Sequence, residues 1–158
     1  MEPVRSDTTT DRRTAVELAK RLLVDSIWRT AKIEVDGVTF PDTQEIFDGR
    51  APEGMSVDDI VTVNNIKRAW GFLLGNIDYP VDWQYIREYN RIIGEGRVRD
   101  AGRLREYGVR IGGTGWVPEI PTVESSQERV RGILEESEGE DTAMLLFGAV
   151  TRGQWFSD

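Results

Sequence analysis

Ala143-Met-Leu-Leu-Phe-Gly-Ala-Val-Thr-Arg-Gly-Gln-Trp-Phe-Ser-Asp158 opens as an apolar run at helical spacing and passes into a polar and aromatic ending, Gln154-Trp155-Phe156-Ser157-Asp158. The run predicts a helix from near Asp141 or Thr142 to about Thr151. Five further segments upstream carry the same period. Ala15, Leu18, Ala19, Leu22, Leu23, Ile27 and Ala31 predict one helix from about Asp11 to Lys32, with Thr10 or Asp11 as its cap. Pro41 suits the first residue of a short helix that runs to Phe47 and ends near Gly49. Ser56 caps a third helix whose buried face is Ile60, Val63, Ile66, Lys67, Trp70, Leu73 and Leu74. Asp82 caps a fourth, carrying Tyr85, Ile86, Tyr89, Ile92 and Ile93 and ended by Gly94 and Gly96. Ser125 or Ser126 caps a fifth through Glu135.

The helical period lapses between Arg97 and Val123. There Val109, Ile111, Trp116 and Val117 flank Gly112-Gly113-Thr114-Gly115, a pattern that predicts a β-hairpin, and Pro118 and Pro121 stop further pairing. Val38–Phe40 reads as a short extended piece. The fold class expected is therefore all-α, one helical domain over residues 11–158 with a single hairpin, preceded by a disordered lead over residues 1–10.

With 158 residues, 39% of them hydrophobic and five Trp among them, the chain can bury a real core. No apolar run approaches the roughly 20 residues that span a bilayer, and the first residues lack the layout of a signal peptide. Cys is absent, which removes disulfides and thiolate chemistry, so a cytoplasmic address is expected. His is also absent, which removes the commonest general base, the commonest metal ligand and every Ser-His or Cys-His dyad. A net charge of −8 disfavours nucleic acid and anionic membrane as partners. Arg97, Arg99, Arg103, Arg105 and Arg110 could hold phosphate or RNA, but Asp100 and Glu106 are interspersed, and ion pairing on a wet loop is the better reading.

Three separated features resemble, in order, those of the Fic (filamentation induced by cAMP) family. Thr30-Ala31-Lys32-Ile33-Glu34 is similar to Ser/Thr-x-x-x-Glu, the inhibitory helix motif of autoinhibited Fic proteins, although Val35 stands where the family has Gly or Asn. Arg110-Ile111-Gly112-Gly113, with Trp116 and Pro118 beyond it, resembles the Fic flap. The Gln154–Asp158 ending resembles the opening of His-x-Phe-x-Asp/Glu-Gly-Asn-Gly-Arg-x-x-Arg: Phe156 and Asp158 match, Gln154 replaces the catalytic His, and the Gly-Asn-Gly-Arg half is not in this sequence. By residue type alone, Thr30 and Glu34 are also an exposed helix end, the glycine cluster a plain turn, and Trp155-Phe156 an apolar plug.

The resemblance implies a Fic-like helical domain with a flap, and a class activity: transfer of a nucleoside monophosphate, usually AMP from ATP with Mg²⁺, to a hydroxyl on a target protein docked along the flap. It implies that Asp158 helps hold the metal and that Thr30 and Glu34 are inhibitory. Gln154 has no proton-accepting nitrogen near neutral pH, and the loss of a general base costs about 10²–10⁴ in rate. The phosphates have no backbone cradle, and the chain is expected to be inactive by itself. The alternatives are a fragment or truncated product of a nucleotidyltransferase-type protein, a non-catalytic Fic-like interaction or regulatory module, and a helical domain unrelated to Fic.

Overall fold

The structure, a computed structural model, describes residues 11–157, with Glu140 described by its backbone alone. The expected disordered lead over residues 1–10 and the metal-binding role of Asp158 lie outside the described residues. Every regular element among those residues is an α-helix. The chain divides into two compact units, one ending at Gly75 and the other beginning at Asn76.

In the first unit, α1 (Arg12–Arg21) and α2 (Leu23–Glu34) replace the one helix expected from Asp11 to Lys32. The break is at Leu22, whose φ of −98° and ψ of 13° leave the helical region with neither Gly nor Pro present. α1 buries no residue, whereas α2 buries Ile27 and Ala31 against α3 (Phe40–Phe47) and α4 (Val57–Gly75). α3 starts where Thr39 accepts from the Asp42 N–H and Asp42 accepts from the Thr39 N–H, a reciprocal cap, with Pro41 in the first turn. Its C-terminus is held by Lys67, whose ammonium donates to the Phe47 carbonyl at 2.8 Å. Ser56 caps α4 as expected, accepting from the Asp59 N–H at 3.1 Å. The expected α4 face buries Val63 and Ile66 fully, while Ile60, Lys67, Trp70, Leu73 and Leu74 remain half-buried.

In the second unit, Asp82 caps α5 (Trp83–Gly94) by accepting from the Tyr85 N–H at 2.8 Å. α6 (Val123–Glu136) begins earlier than expected. Its cap is Thr122, and Ser125 is the third helical residue that completes the reciprocal box. α7 (Gly139–Gly153) closes the described chain. The core joins Trp83, Val130 and Trp155, with Ile86, Leu104, Leu146, Ala149, Val150 and Phe156 packed around them.

The expected hairpin around Gly112-Gly113-Thr114-Gly115 does not form strands. The described chain holds one isolated antiparallel bridge, and it pairs Leu104 with Phe156 rather than the two arms of the turn. Across the turn a single long contact remains, from the Ile111 N–H to the Trp116 carbonyl at 3.5 Å. The physical reasons lie in the residues. Gly108, Gly112, Gly113 and Gly115 offer no side chains to pair across a ladder, and Pro118 offers no N–H. Thr114 completes the diversion, because its hydroxyl takes the Trp116 N–H at 3.2 Å.

Candidate functional site

A helix of this length ends with four carbonyls that lack intrahelical partners. At the C-terminus of α7 all four are satisfied, two of them by side chains from residues 105–116. The Val150 carbonyl accepts from the Trp155 N–H at 3.3 Å. The Thr151 carbonyl accepts from the Gln154 N–H at 3.3 Å and from the Gln154 side-chain amide at 2.8 Å. The Arg152 carbonyl accepts from the Trp116 indole N–H at 3.2 Å. The Gly153 carbonyl accepts from Arg105 Nη2 at 3.1 Å.

Gln154 turns the chain out of α7 in the left-handed region, φ 45° and ψ 53°, the one non-glycine residue at positive φ among those described. That conformation costs a residue with a Cβ roughly 1–2 kcal/mol. Hydrogen bonds at both its ends offset the cost: the side chain reaches back to Thr151, and the main-chain carbonyl accepts from Arg105 Nε. Gln154 thus works as a helix cap, and its amide nitrogen is a donor in use.

Arg105 corrects the sequence reading most directly. The wet-loop assignment holds for Arg103, exposed and paired with Asp100 at 3.8 Å, and fails for Arg105, which is 2% exposed. Its guanidinium donates to four main-chain carbonyls: Gln154 from Nε, Tyr107 from Nη1 at 2.6 Å, and Glu119 and Gly153 from Nη2. Its own N–H donates to the Trp155 carbonyl at 2.9 Å. Two of the four carbonyls lie at the negative end of the α7 dipole, where a cation is favoured.

Below this polar knot is an aromatic stack. Trp155 meets Trp83 edge-on, with ring centroids 5.8 Å apart, and Phe156 lies parallel to Trp83 at 5.9 Å. Tyr107 adds a hydroxyl bond to Ser157 at 3.0 Å. Outside, Ile111, Thr114, Trp116 and Arg152 line an open pocket of about 380 Å³.

The structure therefore ties one of the three features singled out in the sequence, the Ile111–Trp116 turn, to Arg152 at the end of α7, two residues before the Gln154–Phe156 ending begins. Arg110, Gly112 and Gly113 are exposed on that turn. Thr30 and Glu34 belong to the first unit. The Thr30 hydroxyl is spent on the Ser26 carbonyl at 2.8 Å, and Glu34 is the exposed last residue of α2. Arg105 and Trp83, the two residues that organise the site, carried no sequence signal beyond one Arg among several and one aromatic beside a cap.

On α5 the acidity of several groups is displaced. Burial raises the Tyr85 and Tyr89 phenols, and the hydrogen bonds from Arg91 lower the Glu88 carboxyl. Among the described residues no group of three or more Asp, Glu, His or Cys side chains could hold a metal ion. No family model, curated protein or solved structure matches this chain.

Proposed function

We propose that this chain is a Fic-like module that carries the flap and the start of the active-site loop of a protein nucleotidyltransferase, and that by itself it transfers no nucleotide. The observation that carries the reading is the meeting of the Arg110–Trp116 turn with the end of α7: Trp116 bonds Arg152, and Gln154 follows two residues on. A flap must lie beside the reacting loop to present a target hydroxyl there, and in this chain one hydrogen bond, from Trp116 to Arg152, ties the turn to the helix end just before Gln154.

Inactivity follows from residue chemistry. An amide stands at the base position, it already donates to Thr151, and the sequence contains no His to substitute for it. Asp158 is the residue that the resemblance assigns to Mg²⁺, and it lies outside the described residues. ATP and a target protein are the class's substrate and partner, a cytoplasmic address goes with them, and Thr30 and Glu34 take the inhibitory role in the same scheme. Among the described residues no helix is long and apolar enough to cross a membrane.

The non-catalytic alternative, a module that binds a protein partner through its flap, draws on the exposure of Trp116 (56%) and Val117 (56%). Incubation with ATP labelled at the α-phosphate and Mg²⁺ tests the proposal. Neither the chain nor added proteins should acquire AMP, and Gln154→His alone should not change that. Incorporation of AMP by the unaltered chain would overturn the assignment of Gln154 and place the catalytic residues elsewhere.

A further inference from the structure

We infer that Arg105 is a positioning residue that makes the Tyr107–Glu119 segment and the end of α7 one mechanical body, so that the candidate site opens and closes as a unit. The inference rests on the proposed function only for what that site does; the coupling itself stands on geometry.

A fully buried guanidinium has a large desolvation cost, and it stays buried only where its donors are met. Here the acceptors are carbonyls from three places in the chain: Tyr107 before the glycine turn, Glu119 after it, and Gly153 with Gln154 at the helix end. Either arm of the turn can leave only by orphaning a donor of a buried cation. The end of α7 can leave only by orphaning two. The separate Trp116 bond to Arg152 adds a second tie across the same boundary. The turn lies between two roots, Tyr107 and Glu119, that are pinned by one side chain.

Lysine cannot replace this group. Its ammonium is a point charge with three donors and lacks the planar fork that reaches four carbonyls at once. A volume-filling role would tolerate lysine or methionine; a coupling role does not.

Amide hydrogen exchange read residue by residue tests the inference. The reporters are the N–H groups of Ile111 and Thr114 on the turn and of Arg105 and Trp155 at the pairing with the helix end. In the unaltered chain under mild denaturant, all four should exchange through one shared opening, with the same free energy and the same denaturant slope, before α6 opens. Separate openings for turn and helix end overturn the inference without any variant. In Arg105→Lys and Arg105→Ala, protection at Ile111, Thr114 and Trp155 should fall together by about tenfold or more, as loss of charge-assisted hydrogen bonds implies, with α6 amides changed far less. Methylguanidinium at millimolar concentration should restore all three in Arg105→Ala. Loosening of one segment alone, full protection in Arg105→Lys, or rescue of one segment without the other would overturn it. If a variant fails to fold, the shared opening of the unaltered chain decides. None of these readings involves ATP, so a failure of the nucleotidyltransferase assignment leaves them untouched.

Discussion

Two glycines on α7 should respond to the same change with opposite sign. Replacing a helical Gly by Ala stabilises by up to about 1 kcal/mol through backbone entropy. At Gly148 a Cβ would meet nothing within 4 Å, so Gly148→Ala should show that gain. At Gly153 a Cβ would lie 2.5 Å from Trp155 Cδ1, with Nε1 closer still. Ordinary contact needs about 3.4 Å or more, so the indole must move by roughly 1 Å. The ring has little room to do so: Trp155 is 7% exposed and abuts Trp83, which in turn stacks on Phe156. Overpacking of this kind costs about 1–3 kcal/mol. After a full helix gain is subtracted, Gly153→Ala should destabilise by up to about 2 kcal/mol. For a unit of this size that lowers the melting temperature by up to about 15 °C. Thermal melts of both variants, with the near-ultraviolet circular dichroism of the tryptophans, give the comparison. If Gly153→Ala melts at or above the temperature of Gly148→Ala, with the aromatic signal unchanged, the packing described around Trp155 is wrong.

Ser126 is 1% exposed and its hydroxyl has no hydrogen-bond partner, so Ser126→Ala should raise stability by about 1–2 kcal/mol in a urea titration. Thr122→Ala removes half of the cap that starts α6 and should cost about 1 kcal/mol by the same titration, with Thr122→Ser close to the original. Glu88, its pKa lowered first by its hydrogen bonds to Arg91, contributes stability that is present above the unfolded carboxylate value and lost as pH falls through the lower folded value. Because both partners are more than two-fifths exposed, at 42% and 43%, Glu88→Gln should cost under about 1 kcal/mol at pH 7 and nothing measurable once the pH is below the folded value.

The helices were legible because their signals are local. Thr39 with Pro41, Ser56, and Asp82 each mark a start within three residues, and the structure places helices there. The break at Leu22 was not legible, because its residue is a good helix former. The missing strands follow from local residues, the glycines and the Thr114 hydroxyl that takes the Trp116 N–H. The burial of Arg105 does not: it depends on Glu119, Gly153 and Gln154, 14 to 49 positions away in the chain. Composition around Gly112 and Arg105 describes a flexible, charged loop; the end of α7 converts one arginine of that loop into its anchor. The turn and the Gln154 ending are separate motifs in the sequence, and the bond that Trp116 makes to Arg152, just before that ending, is visible only in three dimensions.

The proposal that this chain holds the flap side of a nucleotidyltransferase site is tested most directly by joining this sequence to the Gly-Asn-Gly-Arg half of the motif. A variant continued past Asp158 by Gly-Asn-Gly-Arg should bind ATP with Mg²⁺ in isothermal titration, where the unaltered chain does not, and should transfer AMP only when Gln154→His is added. A continued chain that folds as before and still binds no ATP would contradict the claim.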